Sequence, residues 1–144
     1  MEVHYKNFII SDDKTKIQID VVLEYLARSY WANKRPPERT MKSIENSICY
    51  GVYDGKQQVA YARVITDGAT MFYLCDVFVL EDYQGKGIGK KLVEIIVNSD
   101  EFIMMTGLLG TLDAHGLYEQ FGFEREPDKF MKRLPQRWGN VNSS

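Results

Sequence analysis

The sequence predicts an α/β domain of the α+β kind, a mixed, mainly antiparallel central sheet flanked by helices in the order β-α-α-β-β-β-α-β-α-β. Three observations carry this. Asp54-Gly55 and Asp67-Gly68 each stand between strand-like runs, so three strands follow one another through tight hairpins. Leu74 to Leu80 is a nearly unbroken apolar run, and it leads through a glycine-rich turn into Ile88, Leu92, Val93, Ile95 and Ile96 at helical spacing. Phe102 to Leu109 is a further apolar run beyond that helix, and a helical crossover makes it parallel to the central strand.

The elements follow in order. Tyr5 to Ile10 reads as an edge strand, ended by Ser11-Asp12-Asp13. Asp20 offers an N-cap to an amphipathic helix with Val22, Leu23, Leu26 and Tyr30 inward, stopped by Pro36-Pro37. A second helix is expected from about Glu38 to Asn46, with Met41, Ile44 and Ile48 turned to the core. Ile48 to Tyr53, Gln57 to Thr66 and Met71 to Leu80 are the three hairpin-linked strands. Arg63 on the middle one is expected to be solvated or ion-paired. Asp113 is read as the cap of a short helix whose Ala114, Leu117, Tyr118 and Phe121 share a face, ended by Gly122. Phe123 to Leu134 is expected to be a last strand.

A length of 144 residues suits one domain, set at residues 1–134, with 135–144 a polar tail. The net charge of −2 supplies no basic field for nucleic acid. No apolar run approaches the ~20 residues of a membrane span. Cys49 and Cys75 lie in strand-like runs away from His at any metal-ligand spacing, so they are expected to be free thiols in a reducing cytoplasm, with no metal.

The turn Gln84-Gly85-Lys86-Gly87-Ile88-Gly89 carries the chemistry. A strand-to-helix turn leaves several N–H groups unpaired at the positive end of a helix dipole, an anion site suited to phosphate. A P-loop fails, because Lys90 stands where its second glycine belongs and no Ser or Thr follows. A dinucleotide fingerprint fails at the same residue. Both failures disfavour a nucleotide-binding switch. What fits is Q-x-x-G-x-G, on Gln84, Gly87 and Gly89. In this the chain resembles the GCN5-related N-acetyltransferase (GNAT) family, whose loop of that form holds the pyrophosphate of acetyl-CoA. A second stretch, with Ala114, Tyr118, Gly122 and Phe123 on the positions of A-x-x-x-Y-x-x-x-G-F, resembles the family's helix signature, and the order of elements is that of the family. Thr111 departs from it, standing where many members carry Asn.

The resemblance implies a sheet whose central strands splay apart to admit acetyl-CoA. Backbone groups near Val77, Phe78 and Val79 are then expected to pair with its pantetheine arm, and the amides from Gln84 through Gly85, Lys86, Gly87, Ile88 and Gly89 to Lys90 with its phosphates. Thr111 is expected to offer a weaker hydroxyl contact. Tyr118 is the expected general acid for the departing thiolate. For the base, Asp76 is the only acid of the central strand, and burial is expected to raise its pKa. His115, water, or an amine already neutral are the alternatives. Trp31 and Arg35, between the first two helices, are the expected acceptor contacts, suiting a small-molecule primary amine. The expected function is therefore cytoplasmic N-acetyl transfer from acetyl-CoA, with a homodimer left open. The alternative is a non-catalytic acyl-CoA-binding or regulatory module.

Overall fold

A computed structural model describes residues 1–137. Of the polar tail expected at 135–144, residues 138–144 lie outside the described residues. The strands are β1 (Glu2–Tyr5), β2 (Phe8–Ser11), β3 (Ile48–Asp54), β4 (Gln57–Thr66), β5 (Met71–Val79) and β6 (Thr106–Leu108). The helices are α1 (Ile19–Ala27), α2 (Pro37–Glu45), α3 (Ile88–Val97) and α4 (His115–Glu119). The six strands form one sheet in sequence order. Every neighbouring pair is antiparallel except β5 with β6, which is parallel, as the crossover through α3 requires.

Several expectations change here. The N-terminal edge is a hairpin of two strands, turned at Lys6-Asn7, and not one strand. Asp20 lies in the first turn of α1, whose N-cap is Gln18, and the helix stops at Ala27, leaving Tyr30 49 % exposed. Met41 also faces solvent, while Ile44 is buried. The strand expected over 102–109 shrinks to β6. Residues 99–105 wind in turns instead, with Ile103 N–H donating to Ser99 O and Met105 N–H to Phe102 O. Residues 123–137 form no strand. Pro127 lacks a donor, and the charged residues on both sides of it leave no alternating apolar face.

Two apolar clusters hold the sheet. Ile88, Leu92, Val93, Ile96 and Val97 of α3 pack with Phe72 and Leu74 of β5 in one. Val22 and Leu26 of α1 and Ile44 of α2 pack with Tyr61 and Phe78 in the other. One strand serves both because β5 carries a bulge. Arg63 pairs with Cys75 but Tyr61 pairs with Phe78, so β5 has one residue more than β4 over this stretch. The extra residue is taken up at Asp76, whose φ of +52° is unusual for a residue with a side chain. Before the bulge Phe72 and Leu74 face α3; after it Val77 and Val79 pack on that cluster and Phe78 on the other.

β5 and β6 pair only from Met71 to Tyr73, against Thr106 to Leu108. From Leu74 to Val79, β5 has β4 on one side and, among the described residues, no strand on the other. The splay implied by the family resemblance is therefore present, and it opens beside the bulge.

Candidate active site

The glycine turn sits at the end of this open edge. Residues 81–83 form a single 3₁₀ turn, and α3 starts at Ile88. Gly85 and Gly87 have φ of +83° and +81°, the left-handed region that glycine enters without a steric penalty. Lys91 N–H donates to Gly87 O, the first turn of α3. Among the described residues, the N–H groups of 85–90 have no protein acceptor. An anion of phosphate size fits such a set of donors, with Lys86 and Lys90 exposed alongside. Gln84 departs from the expectation. Its N–H donates to Glu81 O at 3.3 Å, so it is not a free donor. Its side-chain Nε2 donates to Val79 O at 2.9 Å, bracing the turn against the end of β5.

At the bulge, residues singled out separately come together. Trp31 Nε1 donates to Asp76 Oδ1 at 2.9 Å. Arg35 donates to both carboxylate oxygens, at 2.9 and 3.2 Å. Arg63 Nε donates to Asp76 Oδ2 at 2.9 Å, and its Nη1 to Ser47 Oγ at 3.1 Å. Burial alone would push the Asp76 carboxyl up, and it is the largest single influence. The hydrogen bond from Arg35 and the charges of Arg63 and Arg35 together outweigh it, so the pKa is lowered. This overturns the expectation that burial tunes Asp76 toward a base. The carboxylate is an anchor for the loop between α1 and α2. Trp31 and Arg35 reach the site through it, and two guanidiniums around one carboxylate leave the cluster with an excess positive charge.

Tyr118, Thr111 and His115 lie elsewhere on the site, lining a cavity of about 980 Å³ bounded by β6, α4 and residues 121–130. None of the residues of the turn or of the Asp76 cluster lines that cavity. Tyr118 is buried and stacks edge-on against Phe123 at 6.0 Å. Burial chiefly, with the nearby Tyr30 and Asp113, pushes its phenol up to about 12. Thr111 Oγ1 accepts from Ala114 N–H at 3.0 Å, so Thr111 and not Asp113 supplies the side-chain bond at the start of α4. Tyr30 ties the two halves of the site, its hydroxyl accepting from Leu112 N–H at 3.2 Å. No group of three His, Cys, Asp or Glu side chains gathers among the described residues to hold a metal.

The model of the acetyltransferase (GNAT) domain family matches residues 45–125, more than half of the chain. The chain belongs to the GNAT family. A GNAT-family crystal structure from Xanthomonas campestris pv. campestris is similar over 92 % of this chain and 96 % of its own, at 33 % identity and a TM-score of 0.86. A Gibberella zeae protein named as an acetyltransferase is 28 % identical over 110 residues, 62 % of each chain. This GNAT chain thus spans less than two thirds of that relative. A Clostridium acetobutylicum structure with acetyl-CoA shares the fold at 14 % identity and a TM-score of 0.65, over 89 % of this chain and 95 % of its own.

What sequence reasoning missed is the N-terminal hairpin. Tyr5 hydroxyl and Lys6 Nζ both donate to Lys86 O, at 3.3 and 2.8 Å. The available signal was weak, a lysine-asparagine pair between the alternating Glu2-Val3-His4-Tyr5 and the apolar Phe8-Ile9-Ile10.

Proposed function

We propose that this chain transfers the acetyl group of acetyl-CoA to the primary amine of a small molecule by direct attack on the thioester. The observation that carries this reading is continuous: the edge of β5 that has no partner strand among the described residues runs from the bulge straight into the turn whose N–H groups have no acceptor among them. The Clostridium structure with acetyl-CoA on the same fold supports it. Val77 and Val79 would pair with the pantetheine arm along the open edge, and Phe78 would contribute backbone only, since its ring is stacked on Tyr25 at 4.2 Å. The N–H groups of 85–90 would take the pyrophosphate.

In the chemical step the amine nitrogen bonds to the thioester carbon and the carbon–sulfur bond breaks. A backbone N–H at the bulge, near Val77, would stabilise the carbonyl oxygen as it gains charge. The amine is protonated at neutral pH and must first lose a proton. With Asp76 held by its cations, that proton goes to water. Tyr118 would donate to the departing sulfur. Its raised pKa keeps it protonated, although it makes complete transfer to a free thiolate of pKa ~8.5 uphill. The exposed faces of Tyr30 and Trp31, with the excess positive charge beside Arg35, support an acceptor that carries a carboxylate as well as its amine. The free thiols Cys49 and Cys75 support a reducing compartment such as the cytoplasm.

The occupied Asp76 carboxylate favours one other reading, a non-catalytic acyl-CoA-binding module. A panel of amines, with and without carboxylates, assayed for CoA release separates the two. Steady release with a carboxylate-bearing amine supports the enzyme; CoA binding with no release by any amine supports the module. Tyr118→Phe with the best amine should lower kcat by ~100-fold or more while leaving CoA affinity unchanged. Unchanged kcat would return Tyr118 to a packing role.

A further inference from the structure

We propose that the β1–β2 hairpin positions the phosphate-binding turn, with Tyr5 and Lys6 setting the direction in which a backbone N–H of that turn points. The inference rests on the reading that the turn takes the pyrophosphate of CoA.

The geometry starts from one carbonyl. Lys86 O accepts from Lys6 Nζ at 2.8 Å and from Tyr5 hydroxyl at 3.3 Å, across about 80 residues of sequence. A trans peptide is planar, with its C=O and N–H pointing in opposite directions. Holding Lys86 O toward the hairpin therefore turns the N–H of Gly87 away from it, to the side where that N–H has no acceptor among the described residues. Of the two residues that set this peptide plane, Lys86 and Gly87, the second is a left-handed glycine with wide conformational freedom. From outside the turn, the hairpin is what holds the plane, through the carbonyl.

The hairpin is shaped for the task. Lys6 has a φ of +54°, a turn conformation that directs its side chain back over Tyr5, and Nζ sits 5.3 Å from the Tyr5 ring. Lys91 of α3 approaches the same ring at 5.9 Å, and it also pairs with Glu94. The fit is close enough that a Cβ on Gly87 would lie 2.6 Å from the Tyr5 oxygen. Lys6 acts in a second way too. A cation donating to a carbonyl polarises the peptide, which strengthens the opposite N–H as a donor. Tyr5 and Lys6 are positioning residues; the N–H of Gly87 makes the contact.

The test uses the whole chain and isothermal titration with CoA, 3′-dephospho-CoA and pantetheine, on wild type, Tyr5→Phe, Lys6→Met and Lys6→Arg. Losing a charged hydrogen bond should weaken CoA and 3′-dephospho-CoA about tenfold in Lys6→Met. Tyr5→Phe should lose less, and Lys6→Arg should recover most of the affinity. Pantetheine, which has no pyrophosphate, should bind all four proteins alike. If wild type binds CoA and the Phe and Met variants bind it equally well, the hairpin does not position the turn. Equal losses for CoA and pantetheine would mean general damage, and a loss for CoA but not for 3′-dephospho-CoA would make Lys6 a contact to the 3′-phosphate. Both overturn the proposal. Absence of CoA binding by wild type overturns the underlying reading itself, and is distinguished by being seen before any substitution.

Discussion

Asp76 shows how one residue changes meaning between sequence and structure. An acid in an apolar strand invites a catalytic reading, yet its carboxylate is 4 % exposed as a residue and bonded by Trp31, Arg35 and Arg63. Removing it leaves the buried Arg63 guanidinium without its counter-charge. Asp76→Ala should therefore cost about 3–5 kcal/mol, measured by urea unfolding, with Asp76→Asn losing less because its amide keeps part of the bonding. A folded, stable Asp76→Ala whose kcat alone has collapsed would restore the base. The pH dependence has a definite sign. The folded carboxyl is held below its unfolded value of about 3.9, so its contribution is present above that pH and is lost as the pH falls further. The sequence identified Trp31, Arg35 and Asp76 as notable and placed Arg63 as solvated or ion-paired. It did not reveal that they meet, because that depends on how the loop between α1 and α2 folds over the sheet. Nothing in residue type or spacing records such a path.

Among elements, the turn before α3 divides its glycines by function. Gly87 needs its left-handed φ and stands against Tyr5. Gly89 has an ordinary helical place, and a Cβ there would meet only Val79 Cγ2 at 3.5 Å, normal contact. Gly87→Ala should lose roughly 1–2 kcal/mol from the φ alone and weaken CoA binding, whereas Gly89→Ala should keep the folded stability of wild type. Thermal melting with and without CoA tests both. Equal behaviour of the two variants would remove the distinction, and with it the tight seating of the hairpin. The motif was legible because phosphate loops of this kind are short and contiguous. Hairpins at Asp54-Gly55 and Asp67-Gly68 were legible for the same reason, their turn residues being local. The run from Phe102 to Leu109 was not. An apolar stretch of that length satisfies a strand or a buried turn equally, and tertiary packing of Phe102 against Phe72, at 4.9 Å, decided it. The last expected strand fails at Pro127 and its charged neighbours, a signal carried in the sequence itself.

At the scale of the whole molecule, the fold was the most readable property, because the order of strands and helices leaves few ways to build one sheet. The same sheet buries several phenols. Burial chiefly pushes Tyr53 and Tyr118 up to about 12, and Tyr50 and Tyr61 higher still. Above pH ~10 the unfolded chain gives up these protons and the folded chain keeps them, so stability must fall as pH rises. Each such tyrosine contributes a slope of up to about 1.4 kcal/mol per pH unit between its two values. Urea midpoints should be level near pH 8–9 and drop steeply between pH 10 and 11; a flat profile to pH 11 would mean these rings are not held as buried as they stand. The bulge at Asp76 has a consequence of another kind. β5 is written in two reading frames, even-numbered side chains on the α3 side up to Leu74 and odd-numbered ones from Val77 onward. Deleting one residue there would merge the frames. The merged strand would still carry Phe72, Leu74, Val77 and Val79 to the α3 face and Phe78 to the other, so both clusters keep their side chains. What a shortened chain loses is the seat of Asp76, whose left-handed φ and bonds to Trp31, Arg35 and Arg63 depend on the extra residue. The residue count between Leu74 and Phe78 thus sets the anchor of the loop between α1 and α2 and not the packing of the two clusters.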